Sequence, residues 1–225
     1  MPKLTYIMDE AIKKLGIRGS AVVEISGLTI RPADLELEEL KQQATGRILS
    51  LSDDEIQSDI ILQSYRRLVE DMGRSLKKFP PAAENLVRQV RRTCAFPSIN
   101  TAVDCYNIVA AARSLALGAH DLAKLGDTIY FRLSGGGEPF TPVGSTSTKF
   151  TQQGDFVYAD STRVLAWLDS KDCDDAKISL TTESMIIVIQ GTDKTSREYN
   201  MHAAAEAGSL INRFCGGYHD VFAID

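Results

Sequence analysis

The sequence predicts an α+β fold, and three observations carry that expectation. Helical periodicity and capping residues dominate the first half of the chain. Short β-branched runs separated by turn residues dominate the second. The regular β-α-β alternation of a doubly wound sheet is absent. With 225 residues, 44% of them hydrophobic, a single domain over 1–225 is expected to bury its own core.

Taken in order, residues 4–15 begin extended and pass into a short helical turn closed by Gly16. The run SAVVEISGLTI, 20–30, is rich in β-branched residues and is expected to be a strand. Residues 33–44 form an acidic amphipathic helix. Ser52, Asp53 and Asp54 supply an N-cap and an acidic first turn for a helix running toward Lys78, which Phe79-Pro80-Pro81 ends. A helix over 82–92 follows, then a break at Phe96-Pro97-Ser98. Residues 99–117 are a long, mostly apolar helical segment with Gly118 at its end. Residues 128–133 alternate as a strand and Gly135-Gly136-Gly137 turns the chain. Short strands are expected near 140–143, 156–159 and 185–189, then a helix over 196–214 and a loose tail.

Composition narrows the functional classes. Asp9 and Glu10 stand where a signal peptide would carry its apolar core, and no run reaches the roughly 20 apolar residues of a membrane span. Cys94, Cys105, Cys173 and Cys215 lie far apart with no C-x-x-C pair, so they are expected to pack rather than bind metal. A cytoplasmic protein with no metal or cofactor and no membrane contact is the expectation. The formal net charge is −5, yet residues 63–92 carry eight basic residues against three acidic ones. Such a patch could steer an RNA that the remaining surface repels. If that stretch is helical, Arg67, Arg74 and Lys78 form one stripe at i, i+7 and i+11, joined by Arg91 and Arg92. A solvated helix face is the plainer alternative. No phosphate loop, G-x-S-x-G, HExxH or EF-hand pattern is present.

Residues 96–125, FPSINTAVDCYNIVAAARSLALGAHDLAKL, resemble a segment of the B3/B4 editing domain of the phenylalanyl-tRNA synthetase beta chain. The matching positions are Ser98, Ile99, Asn100, Val103, Asp104, Asn107 and Asp121. DTIYFRLSGGGEPFTPVG is similar to that family's strand, Gly-Glu turn and following strand. GDFVYAD and LTTESMIIVIQG are similar to two later strands. The likeness runs over 60–191 and is greatest to members that consist of this domain alone, whose upstream helix matches Tyr65-Arg66-Arg67 and the segment 84–92. Two positions depart: Gly118 replaces a histidine and Thr162 an acidic residue.

The resemblance implies mixed, largely antiparallel sheets with helices packed around them. It implies tRNA or aminoacyl-tRNA as partner, not DNA, and hydrolysis in trans of the ester of a mischarged tRNA. A pocket beside the 99–117 segment would bind substrate through Asn107, Gly144, Thr182 and Ser184. Thr182 and Ser184, two apart, would share one side of a strand. Asp104 and Asn107 share a helix face and are expected either to pin neighbouring loops or to touch substrate. An aminoacyl ester is already activated, so a positioned water and donors to the oxyanion suffice. His120 is the candidate general base; with helical neighbours pointing apart, it forms no dyad with Asp121. The departures at Gly118 and Thr162 fall where the synthetase domain reads its amino acid, so its tyrosine selectivity is not expected to carry over. A non-catalytic RNA-binding module and an amino-acid-binding domain are the alternatives, since function does not follow from fold alone.

Overall fold

The computed structural model describes residues 3–168 and 170–224. Strands β1 (Thr5–Met8) and β2 (Ser20–Ser26) flank the short helix α1 (Glu10–Lys14). Five helices follow with no strand between them: α2 (Leu35–Ser50), α3 (Asp53–Ser58), α4 (Ile60–Asp71), α5 (Ala82–Thr93) and α6 (Thr101–Arg113). Then come β3 (Leu117–Asp121), β4 (Thr128–Gly135), β5 (Pro139–Phe140) and β6 (Lys149–Phe150). They are succeeded by β7 (Gln153–Ala159), β8 (Val164–Trp167), β9 (Lys171–Asp172) and β10 (Ser184–Ile189). Helix α7 (Arg197–Cys215) and β11 (Tyr218–Ile224) complete the described chain.

The α+β expectation holds, with mixed and largely antiparallel sheets. One sheet runs β11-β2-β10-β3 and is antiparallel throughout. A second runs β1-β4-β7-β8-β9, antiparallel except for the β1–β4 pair, and β5 and β6 form a small antiparallel sheet of their own. Side-chain alternation stacks the two larger sheets. β2 is buried at every position, so both of its faces need partners. Ala21, Val23 and Ile25 join Ile187 and Ile189 against Val90, Val109 and Ala207 of the helices. Val22, Ile186 and Val188 point the other way, into a second cluster with Ile129, Phe131 and Val157. The four-stranded sheet is therefore the middle layer, with helices on one face and the five-stranded sheet on the other. Among the described residues no helix is long and apolar enough to cross a membrane.

Several element boundaries differ from expectation for local reasons. Asp59 caps α4 by accepting from the Ile61 and Leu62 amides, so the helix expected over 53–78 is split in two. The second half ends at Asp71, and Gly73 follows at φ +68°. Arg67 therefore lies on α4 while Arg74 and Lys78 lie beyond it, and the three form no helical stripe. Helix α6 stops at Arg113 because Ser114 adopts a left-handed φ of 55°. Residues 117–121 then pair with β10, so Gly118 and His120 belong to an edge strand rather than to the helix. The expected loose tail is β11, paired with β2 from Tyr218 to Ile224. Strands β8 and β9 had no counterpart in the sequence reading.

Candidate functional site

A cleft of about 590 Å³ opens where the outer edges of the two sheets approach each other, β3 from one and β9 from the other. Val103 and Tyr106 line it from α6, Ala119 from β3, and Lys171 and Asp172 from β9. The loop before β10 contributes Lys177 to Leu180. Ile99, Val143 and Leu180, each more than half exposed, give it an apolar rim. A smaller cavity of about 60 Å³ shares Ser170, Lys171 and Asp172 with it and reaches Gly118 and Tyr158.

Polar locks hold two of the walls. Asn100 caps α6 by accepting from the Val103 amide at 2.9 Å. Asp104 accepts from the Ile99 amide at 2.9 Å and from Lys41 Nζ at 2.9 Å. Lys41 also donates to Ser98 at 2.6 Å and Glu38 at 2.7 Å. Burial alone would lower the Lys41 ammonium, and its Glu38 and Asp104 partners carry it above its ordinary value. Asp104 thus pins the loop that carries Ile99 onto the rim. Across the cleft, the Thr182 hydroxyl donates to Asp121 at 2.8 Å and accepts from the Ser179 amide at 3.0 Å. The Asp121 amide donates to the Ala176 carbonyl at 2.9 Å. These bonds hold the 176–182 loop against β3.

The cleft floor carries the unusual electrostatics. A Cβ on Gly118 would stand 2.8 Å from Asp172 Oδ1, so the carboxylate fills the volume that a side chain at 118 would need. Burial pushes the Asp172 carboxyl up to about 7, with the Ala119 amide opposing as a hydrogen-bond donor. His120 Nε2 lies 4.0 Å away, too far for a hydrogen bond. Burial pulls His120 down to about 4, so its ring is neutral near pH 7. Among the described residues, both His120 ring nitrogens and Ser170 Oγ are buried without a partner. Lys171 Nζ sits 4.3 Å from the Phe79 ring centroid, and burial, aided by Lys149, lowers its ammonium. No cluster of His, Cys, Asp and Glu among the described residues could hold a metal ion.

The basic segment is largely engaged with the protein itself. Glu84 takes Arg66 and Arg88, each at 2.6 Å. Arg91 pairs with Asp53, and Arg67 lies 3.7 Å from Asp193. Arg74 clasps Asp155 through Nε at 2.7 Å and Nη2 at 2.6 Å. Asp155 also accepts from Trp167 Nε1 at 2.9 Å and from the Gln152 amide at 2.7 Å. Lys77, Lys78 and Arg92 remain exposed.

The model of the B3/4 domain matches residues 64–210. The chain belongs to the B3/4 domain family. A search of curated proteins returned no match. Among solved structures, the fold is similar to an N-terminal fragment of the phenylalanyl-tRNA synthetase beta-subunit from Pyrococcus horikoshii. The TM-score is 0.53 at 15% identity, over 100% of this chain and 55% of that fragment.

In this B3/4 chain Ile99, Asn100 and Val103 of the recognised segment line the cleft, whereas the residues expected to bind or act on substrate lie beside it. Asn107, Gly144 and His120 each directly follow a lining residue: Tyr106, Val143 and Ala119. On α6 and β3 the backbone geometry turns the Asn107 and His120 side chains away from those of Tyr106 and Ala119. Thr182 precedes β10 in a turn, so it does not share a strand face with Ser184, and its buried hydroxyl is spent on Asp121. Ser184 is the first residue of β10, opposite Ser26. Gly144 turns at φ +74° and donates its amide to Asp174 at 3.0 Å. Sequence reasoning missed Tyr106, Ser170, Lys171 and Asp172. The one available signal was the gap left at Gly118 where a histidine was expected.

The floor of this B3/4 cleft has a stability signature. A carboxyl raised from about 3.9 in the unfolded chain contributes stability that is fully present below pH 4 and lost as pH rises to about 7. Asp172→Asn carries no such ionisation. Its unfolding free energy relative to the parent should therefore climb between pH 4 and 7 and level off above, as measured by urea denaturation. His120 acts in the opposite sense, its contribution being present above about 6.5 and lost as pH falls toward 4.

Proposed function

We propose that the chain binds the aminoacylated end of a tRNA, seats the aminoacyl group in the β3–β9 cleft, and hydrolyses the ester of a mischarged tRNA in trans. The observation that carries this reading is an open, semi-polar cleft beside α6 in a chain of the B3/4 family. Its volume lies within the range of small-ligand sites, and its apolar rim above a polar floor suits a side chain entering first with the ester behind it. The similar synthetase fragment supports tRNA as the source of that ester. For the RNA backbone, exposed Lys77, Lys78 and Arg92 are the available cations of the 63–92 segment, with Arg67 and Arg91 more loosely engaged. Arg74 is committed to Asp155 and is left out of that surface.

Selectivity here is a difference between aminoacyl groups. Polar atoms on the floor left unpaired by a wrong side chain would penalise it, and such discrimination reaches about 10⁴-fold. Purified protein incubated with a panel of correctly and incorrectly charged tRNAs should accelerate loss of one mischarged class and spare free amino acid. A panel decaying at the rate of the protein-free control would end the hydrolytic reading. In that case salt-sensitive tRNA binding would identify an RNA-binding module, and amino-acid binding without RNA a small-molecule domain.

A further inference from the structure

We propose that Asp172 is the general base that activates the hydrolytic water, an inference that rests on the cleft being the site of ester hydrolysis. Four features of the floor single this carboxylate out. Asp172 lines both the main cleft and the small cavity behind it, so it meets substrate on one side and has room for water on the other. The missing side chain at Gly118 makes that position possible, since any Cβ there would collide with Oδ1 at 2.8 Å. Among the described residues no cation pins the carboxylate: its ion-pair neighbour is His120 at 4.0 Å, which burial keeps neutral near pH 7. Two residues back, Ser170 lines the same two spaces, and its buried Oγ has no hydrogen-bond partner among the described residues.

The groups facing Asp172 are few. Tyr106 approaches from α6 and feels its charge; His120 approaches from β3. Lys171 and Cys173 flank it on its own strand. Lys177 lines the cleft from the following loop but is bonded to Asp174 at 2.8 Å. Burial therefore dominates, and the carboxyl titrates at about 7, where a base is half ionised at neutral pH and still basic enough to take a proton. Among the described residues, the neighbouring acids Asp104, Asp121 and Asp174 are engaged by Lys41, Thr182 and Lys177.

The step balances without any further reactant. The Asp172 carboxylate takes one proton from water while the water oxygen bonds to the ester carbonyl carbon. As the tetrahedral intermediate collapses, the bond from that carbon to the ribose oxygen breaks and the same proton passes to the ribose oxygen. The products are a free ribose hydroxyl and an amino acid, whose new carboxyl group releases its proton to solvent.

The test uses full-length protein and the mischarged tRNA cleaved fastest in the panel. After subtraction of protein-free hydrolysis, kcat should rise tenfold per pH unit up to about 7 and then level off. Asp172→Asn should lower kcat by about 10²–10⁴-fold, abolish that rise and leave KM within threefold. Gly118→Ala keeps the carboxyl group but pushes it aside, which its free end permits without rebuilding the fold. This variant should lose at least about tenfold in kcat, because a misplaced base loses its alignment. An active parent with both variants at parental kcat overturns the assignment and leaves the hydrolytic reading intact. A loss confined to KM also overturns it, making Asp172 a binding group. A parent inactive on every tRNA ends the hydrolytic reading and this assignment together.

Discussion

Arg74→Ala is expected to destabilise the protein by about 3–5 kcal/mol, read as a lower denaturation midpoint in urea at pH 7. Asp155 is 1% exposed, and its carboxylate receives two bonds from the guanidinium, one from the Trp167 indole and one from the Gln152 amide. Removing Arg74 leaves a buried negative charge with the two weaker donors only. Adding Asp155→Asn should recover more than half of the loss, because the charge then disappears with its partner. If Arg74→Ala costs less than about 1 kcal/mol, the pair is worth no more than an exposed one. Trp167 ends β8 just before the turn to Lys171 and Asp172, so this network also steadies one wall of the cleft.

Lys41→Ala should cost a comparable 3–5 kcal/mol, roughly, because it strands Asp104 at 1% exposure with only the Ile99 amide as donor. The pH dependence gives the sign. Without its cation, buried Asp104 prefers its neutral form, so the deficit relative to the parent should shrink as pH falls and the carboxyl protonates. A deficit that is constant from pH 4 to 8 would mean that Lys41 acts through packing of its stem rather than through charge. Since Asp104 holds Ile99 at the rim, the two ion pairs steady opposite sides of the same opening.

The layer of the fold that local signals determine was legible. The β-branched run at 20–30, whose first seven residues are β2, and the N-cap at Ser52 act within a few residues and were legible, whereas Phe79-Pro80-Pro81 comes well after α4 has ended at Asp71 and instead leads into α5. Boundaries set by distant partners were not. Residues 117–121 contain small side chains and no clear alternation, and they become a strand because β10 offers an edge. Residues 218–224 likewise take their form from β2. The site followed the same division. Ser98, Ile99, Asn100 and Asp104 formed a recognisable cluster, but the lysine that completes it comes from α2. Asn107, Gly144 and His120 each stand one position from a residue that lines the cleft, so the sequence pointed to these segments without resolving which of their side chains face the opening. Asp172 had no signature of its own beyond the gap at Gly118, since its environment is made by β3 and α6.

The shared volume between β3 and β9 imposes a rule on how this protein can vary. Positions 118 and 172 draw on one space, so a change at the first is felt at the second. A methyl at 118 displaces the free end of the Asp172 side chain, and a bulkier group there demands a smaller residue at 172. Any side chain at 118 larger than a methyl would have to take over the volume that the carboxyl group now fills.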